Sequence, residues 1–567
     1  MYFLRRGFTL VDVIVGTALM LVLFLALFGI LRASLEVSAL AKAKATAIEV
    51  ASTQIEYMRG LSYDSLGTVG GIPAGTIPQL ATSTVDGVPY VTHTYVEYYD
   101  DPADGIGVSD TNGVTTDYKT AKITVTYSLS GIIKSVVLVS NFVPLGIEAT
   151  TGGGTLSIHV VNANGANVSD ASVQIVNAST SPAVNFTTFS DTSGLVMIGG
   201  AATSSVYQIF VSRSGYSSAQ TYARTNQNVN PTPGYLTVAK NQTTSATFAI
   251  DLLTPLTLSS FAVASTTTFT DAFTSASNLA SQTNTQVSGG ALTLASNVLS
   301  GSANSIPIAP NALDGWGILS ATMTTPDGTS AVVHVDDASG NLIPDSALPN
   351  NSIGFSSFPV SLTGLATSSY PILTLEADLT TSATTTTPSI TGWSLSHTEG
   401  PFPLPNIAFT LTGAKTIGTD GSGLPIYKTT MSDTTGATAT KTEQLEWDSY
   451  TLALTSATLI ESCPTTPYPL VPGQATSTAL TIGTLSTNTL PIIINDSTDA
   501  AVSNAKVILT KSGYAATVIT SPCGLAFFNS LASGTYSATV SAAGHTTTVF
   551  PNISVAGHTA ASTFTLP

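Results

Sequence analysis

Six hard-oxygen residues crowd one short stretch, Asp100, Asp101, Asp104, Asp110, Asn112 and Asp117, interleaved with Gly105, Gly107 and Gly113. Calcium takes about six to eight oxygens from flexible loops, so Ca²⁺ binding is the chemistry these residues could do. A bound ion would lock the loop and neutralise repulsion among the acids. Asp, Asn and Gly are also the ordinary residues of turns, and the spacing is not that of an EF-hand. A second candidate is Asp12, a carboxylate at the start of the apolar run of residues 13–31. An acid within a membrane helix costs about 2.5–3.5 kcal/mol on insertion scales, so it calls for a charge partner. Asp336 and Asp337 beside His334 form a third candidate, which the exposed end of a strand explains equally well. Trp316 and Trp393 could stack on a sugar ring or fill the core of a sandwich. Cys463 and Cys523 are the two cysteines, and in an exported chain they can form a disulfide closing a loop of about 60 residues.

Catalytic patterns are missing. The six histidines are scattered, and there is no H-E-x-x-H, no G-x-S-x-G elbow, no P-loop and no Cys-x-x-Cys. The expectation is therefore a protein that is not an enzyme. Only 9% of the 567 residues are charged, with 17 basic against 33 acidic and a net charge of −16, which argues against a nucleic-acid partner held through phosphates. No Lys or Arg lies between Lys240 and Lys415, a surface that offers trypsin-like proteases nothing to cut and suits an extracellular life.

The elements that must position these residues begin with a helix. From Phe8 to Leu31 there are about 24 residues, enough to span a bilayer, whereas a secretory signal's apolar core is about 7–15. Arg5 and Arg6 precede it, which keeps the short amino-terminal tip in the cytoplasm and places the rest outside. Ile48, Ala51, Ile55 and Met58 then recur at helical spacing, so the helix is expected to continue to about Gly60. The run Arg5-Arg6-Gly7-Phe8-Thr9-Leu10-Val11-Asp12 followed by this helix resembles the class III signal of type IV pilins and type II secretion pseudopilins. The resemblance implies cleavage after Gly7 by a prepilin peptidase, methylation of the new amino terminus at Phe8, and pairing of Asp12 with the amine of Phe8 in a neighbouring subunit. The family's acid is usually Glu, one methylene longer, and the proline that often kinks the family's helix is missing. A secretory signal cut at Ala39-Leu40-Ala41, or a plain anchor, would need neither Gly7-Phe8 nor Asp12.

Beyond Gly67 the chain is rich in Thr, Ser, Ala, Val and Gly, the composition of short strands joined by turns. The expected fold class is mainly β and multidomain. It comprises a leader at 1–7, a helix at 8–60 with its membrane part at 8–31, and a pilin-like α+β head at 61–149 with strands near 90–98, 119–127 and 132–141. Gly152-Gly153-Gly154 reads as a linker. Past it the stretch from Gly165 to Val173 is repeated from Asp499 to Val507. Thr192-Ser193-Gly194 is matched by Pro522-Cys523-Gly524, the run Tyr207 to Val211 by Tyr536 to Val540, and Gly215-Tyr216 by Gly544-His545. This pattern resembles carboxypeptidase regulatory-like or Cna-B-like domains, which implies prealbumin-like sandwiches at 155–252 and 489–567. Ser432-Asp433-Thr434-Thr435-Gly436 echoes Ser190-Asp191-Thr192-Ser193-Gly194 and suggests a divergent copy at 405–485. Residues 256–398 look like a jelly-roll or lectin-like β-domain. Some Cna-B-like domains carry a Lys–Asn crosslink, but the first strands here lack the lysine.

The expectation is a minor pilin or pseudopilin, stored in the cytoplasmic membrane and then built with other pilin subunits on an assembly platform into a filament. There its β-modules would face a glycan, a surface or another cell. The alternative is a membrane-anchored glycan-binding or glycan-processing surface protein outside any filament.

Overall fold

The computed structural model describes residues 10–101, 103, 116–129, 131–144 and 153–567, with the side chains of the helix from Ile14 onward. Two compact units emerge. One runs to Leu253 and includes Thr416–Tyr427; the other holds Thr254–Lys415 and Lys428–Pro567.

In the first unit a single helix covers Leu10–Arg59. Its early part is apolar on every side and bare, with Leu19, Phe24, Phe28 and Leu31 all exposed. From Ala43 onward one stripe is covered: Ala43, Ala47, Ala51, Ile55 and Met58 pack on Tyr90, Val96, Ala121, Ile123, Val125 and Tyr127. Spacings of three and four residues keep these on one face, and the alanines let the sheet approach closely. Ile48, expected on that face, is 41% exposed instead: one residue past Ala47, it is turned about 100° from the buried Ala47. The sheet is an antiparallel meander of Leu80–Val85, Val88–Tyr99, Tyr118–Leu129 and Ile132–Phe142, in that order. Three of these strands lie where alternation placed them; Leu80–Val85, exposed along its whole length, carries no such signal.

A sandwich follows directly. Its smaller sheet has Gly154–Val161 at the centre, parallel to Thr243–Ala249 and antiparallel to Leu195–Ala201; the larger is built on Ser172–Asn177, Val184–Phe189 and Ser204–Ser212. Gly154 is thus a strand residue and not part of a linker. A Cβ there would collide with the carbonyl of Ala239, which accounts for the glycine. The head is tied to this sandwich: Ile72 and Tyr95 join its core, Tyr95 stacks on Phe186 at 5.8 Å, and the Asn185 amide donates to the Gly70 carbonyl at 2.8 Å. The hairpin of Thr416–Thr419 and Pro425–Tyr427 also belongs here, where the Ile417 carbonyl accepts from the Thr232 amide and from Asn228 Nδ2.

The second unit holds two more sandwiches of the same topology. In the last one Leu490–Asp496 runs parallel to Ser562–Leu566 and antiparallel to Leu525–Phe528, while Lys506–Lys511 lies between Tyr514–Ile519 and Gly534–Ser541. Equivalent residues make equivalent bonds. Ser190 Oγ accepts from the Ala171 amide and donates to the Val168 carbonyl, as Thr520 Oγ1 does with Ala505 and Val502. Tyr207 and Tyr536, both buried, donate their phenols to the carbonyls of Ala202 and Ala532.

The middle sandwich corrects two expectations. Its first strand is Thr254–Ala262, parallel to Thr476–Ile482 and antiparallel to Thr440–Leu445, and its second is Ala408–Gly413, between Thr430–Thr434 and Ser449–Leu454. The copy expected at 405–485 therefore begins at 254, and the domain expected at 256–398 loses its first strand to it. In the first and last sandwiches a short turn follows the first strand, closed by Asn162 N–H to Ala166 O and by Asp496 N–H to Ala500 O. Here the same bond runs from Ala262 N–H to Phe402 O, and a whole domain occupies the turn. The glycine register also moves. Val160 and Ile494 donate to the carbonyls of Gly194 and Gly524, and Ser260 donates to that of Ala439, so Ala439 stands where Gly436 was expected. Ala439 holds a positive φ of 58°, as the glycines do.

The inserted domain is a two-sheet antiparallel sandwich. Ser389–Glu399 pairs with Ser265–Asp271, Ala291–Leu294 and Leu313–Thr324 in one sheet; Thr374–Thr381 lies between Ser300–Ser305 and Thr329–Asp336 in the other. Its core centres on Trp316, Trp393, Phe273 and Leu395.

Candidate assembly helix and binding sites

Gly7 and Phe8 lie outside the described residues. Asp12 lies in the first turns of the long helix, and its side chain is likewise outside them. The helix is long and apolar enough to cross a membrane. Gly16 and Gly29 leave open space on its surface.

Of the acidic loop, Asp100, Asp101 and Asp117 are described; Asp104, Asp110 and Asn112 are not. Asp117 Oδ2 accepts the Asp101 amide at 2.6 Å and Asp101 Oδ1 accepts the Ala103 amide at 3.1 Å, so these two carboxylates act as turn acceptors. Among the described residues no cluster of three His, Cys, Asp or Glu side chains could hold a metal ion.

Cys463 and Cys523 form a disulfide, with Cα atoms 5.7 Å apart. It ties the edge strand Leu459–Cys463 of the middle sandwich to the turn after Thr520 in the last one.

Trp316 and Trp393 are core residues, 0% and 2% exposed, and Trp316 Nε1 donates to the Tyr370 carbonyl at 2.8 Å. Neither presents a face to a sugar. Asp336 and Asp337 part ways. Asp337 is half-buried and accepts the amides of Ser339 and Asn341, which holds its carboxyl below the ordinary range. Asp336 is 2% exposed, and Oδ1 has no hydrogen-bond partner. Burial, reinforced by Glu376 and Asp378 and opposed by His334, pushes it up to about 6. Glu376 and Asp378 come from the paired strand, where Glu376 is opposite His334 and Asp378 opposite Val332. The ring of His334 is spoken for: Nδ1 lies 2.6 Å from the Asn351 carbonyl and Nε2 3.5 Å from Asp378.

Sequence reasoning missed a cleft of about 330 Å³ between head and first sandwich, lined by Tyr95, Glu97, Tyr99, Lys122, Phe189 and Met197 among others. Burial pushes the Glu97 carboxyl up to about 7, against a downward pull from Tyr95 and Lys122. Its one sequence signal was an acid at an alternating position of a strong strand, which by itself reads as a solvated face. A second missed group sits at the root of the hairpin. There buried Glu446 accepts from Lys428 Nζ at 2.7 Å and faces Lys415 Nζ at 3.5 Å, while Lys415 lies 3.2 Å from the centroid of Trp447.

Residues 490–567 match the carboxypeptidase regulatory-like domain family. That match covers the last sandwich, whose topology the other two share. No curated protein matches the chain. Among solved structures, similarity is found to the Bacillus anthracis TIE protein, at 11% identity over 80% of this chain and 61% of that one, with a TM-score of 0.16. It is found also to BcpA, the major pilin subunit of Bacillus cereus (9% identity, 73% of this chain, 99% of that one, TM-score 0.13). GBS52, the minor pilin of Streptococcus agalactiae, is a third (13%, 30% and 84%, TM-score 0.12). The chain thus spans less than two thirds of the length of the TIE protein.

Proposed function

We propose that this chain is a large pilin-like subunit, cut after Gly7 by a prepilin peptidase, methylated at Phe8, and assembled through its helix into a filament that displays the sandwiches for adhesion. The observation that carries this reading is the division of labour along one unbroken helix. Within Leu10–Arg59, the stretch from Ile14 to Leu31 is bare and apolar, and from Ala43 the helix is docked on an antiparallel sheet. A bare helix of that kind needs lipid before assembly and other helices after it, and the carboxylate of Asp12 needs a cation at the same depth. Assembly exchanges lipid contacts for helix contacts, and the amine of a neighbour's Phe8 supplies the charge that sets register. In this reading the sandwiches are display and spacing modules and perform no catalysis. A subunit of this bulk suits the tip or sparse incorporation better than a dense shaft.

Mass spectrometry of the amino terminus, from cells with and without the matching peptidase, tests it. A methylated terminus at Phe8 that depends on the peptidase is expected. A retained Met1, or a cut near Ala41, would remove the pilin reading and leave an anchored β-protein.

A further inference from the structure

We propose that the middle sandwich is a force clamp: it carries tension through its first and last strands and keeps the inserted domain out of the load path. Three observations lead there. Thr254–Ala262 and Thr476–Ile482 are hydrogen-bonded neighbours running parallel, in register from Leu256 opposite Thr476 to Ala262 opposite Ile482. Chain enters the module at the start of the first strand and leaves at the end of the last, so tension along the chain pulls the two strands past each other. Their hydrogen bonds are then loaded together, not one after another, and rupture needs many to fail at once.

The inserted domain meets the opposite geometry. Its terminal strands, Ser265–Asp271 and Ser389–Glu399, are antiparallel, with Ser265 opposite Glu399 at the open end. Pulling those ends apart peels the ladder one bond at a time, the weakest way to load it. While the parallel pair holds, however, no tension reaches these ends, because both leave the sandwich beside one another at the Ala262 N–H to Phe402 O contact. The insert is mechanically weak but sheltered.

The disulfide adds a second constraint. Cys463 and Cys523 are 60 residues apart in sequence, so the chain between them cannot be drawn out while the bond stands. The arrangement lets the outer modules bear tension while the inserted domain keeps its folded surface, as a display module on a pulled filament must.

Single-molecule pulling of the full-length chain in detergent tests this in two geometries. With handles at the chain ends, the insert's release, roughly 450–500 Å at ~3.3–3.6 Å per residue, is expected only after the middle sandwich has ruptured. With handles in the two stretches joining the insert to the sandwich, the same release is expected first and at clearly lower force. Crosslinking the clamp in the T257C/S477C variant assigns the step, since the release must vanish until reductant is added. Reductant should lengthen the fully extended wild-type chain by about 200 Å. Release of the insert before the sandwich when the chain ends are pulled, at the force seen with the inner handles, would overturn the proposal.

Discussion

The amide of Ala262 donates to the carbonyl of Phe402 at 2.8 Å, although a complete domain lies between them in the chain. The same bond closes a tight turn in each of the other two sandwiches. An insertion is tolerated there because its two ends already lie side by side: the host strands keep their partners, and the loop-closure cost grows slowly with the length inserted.

The glycine at the second turn is a steric requirement in the last sandwich. Gly524 has a φ of +80°, and a Cβ there would meet the Ile494 carbonyl oxygen. Gly524→Ala should destabilise that sandwich by about 1–2 kcal/mol from the left-handed backbone alone, with the clash adding more. Thermal or denaturant unfolding of the variant checks it. An unchanged midpoint would show that the turn relaxes freely.

Glu97 should make the first unit less stable as pH rises. Its carboxyl holds a proton up to about 7 when folded, against an ordinary value of 4.5. Between these values the folded form binds a proton that the unfolded form has lost, so stability falls from about pH 4.5 to 7 and levels off above. Glu97→Gln should flatten this slope and raise stability at pH 8. Denaturant melts across pH 4 to 8 decide it, and a slope identical in the two proteins would refute the assignment.

Asp336 should behave alike in the inserted domain over a lower window. Folded, it is held up to about 6. Asp336→Asn should remove a loss of stability that otherwise runs from about pH 4 to 6, read by the intensity and wavelength of emission from buried Trp316 and Trp393 during unfolding.

Removing the disulfide should loosen the last sandwich without unfolding the inserted domain. For a closed loop of 60 residues the chain-entropy model assigns about 4 kcal/mol to the crosslink. The C463S/C523S double variant should therefore lower the unfolding midpoint of the second unit. Hydrogen exchange should show the loss in Leu490–Asp496 and its neighbours while strands such as Ser389–Glu399 stay protected.

The helix–sheet contact leaves little room for larger side chains. Ala47 and Ala51 are fully buried against the head. Ala47→Leu should cost about 1–3 kcal/mol by overpacking and expose the helix's second half to protease, whereas Ile48→Ala, on the solvent side, should do neither.

Much of this protein was legible along the chain. Local periodicity marked the helix through Arg59, the alternation of Ile123, Val125 and Tyr127, and the repeated turns at Gly194 and Gly524, because each depends on neighbours within a few residues. The run of Arg5, Arg6 and Gly7 ahead of Phe8 and the placement of Asp12 at the head of an apolar stretch are likewise properties of the sequence alone. Tertiary structure decided which strand pairs with which. Residues 254–262 read as a strand in any context, but their partners at 440–445 and 476–482 lie far along the chain, beyond an insertion that local patterns cannot bracket. It decided, too, that Ala439 takes the left-handed place of a glycine, that Trp316 and Trp393 face inward, and that Glu97 lies half-buried in a cleft. Alternation says which residues share a face of a strand; only the packing of one sheet or module against another says whether that face meets solvent or protein.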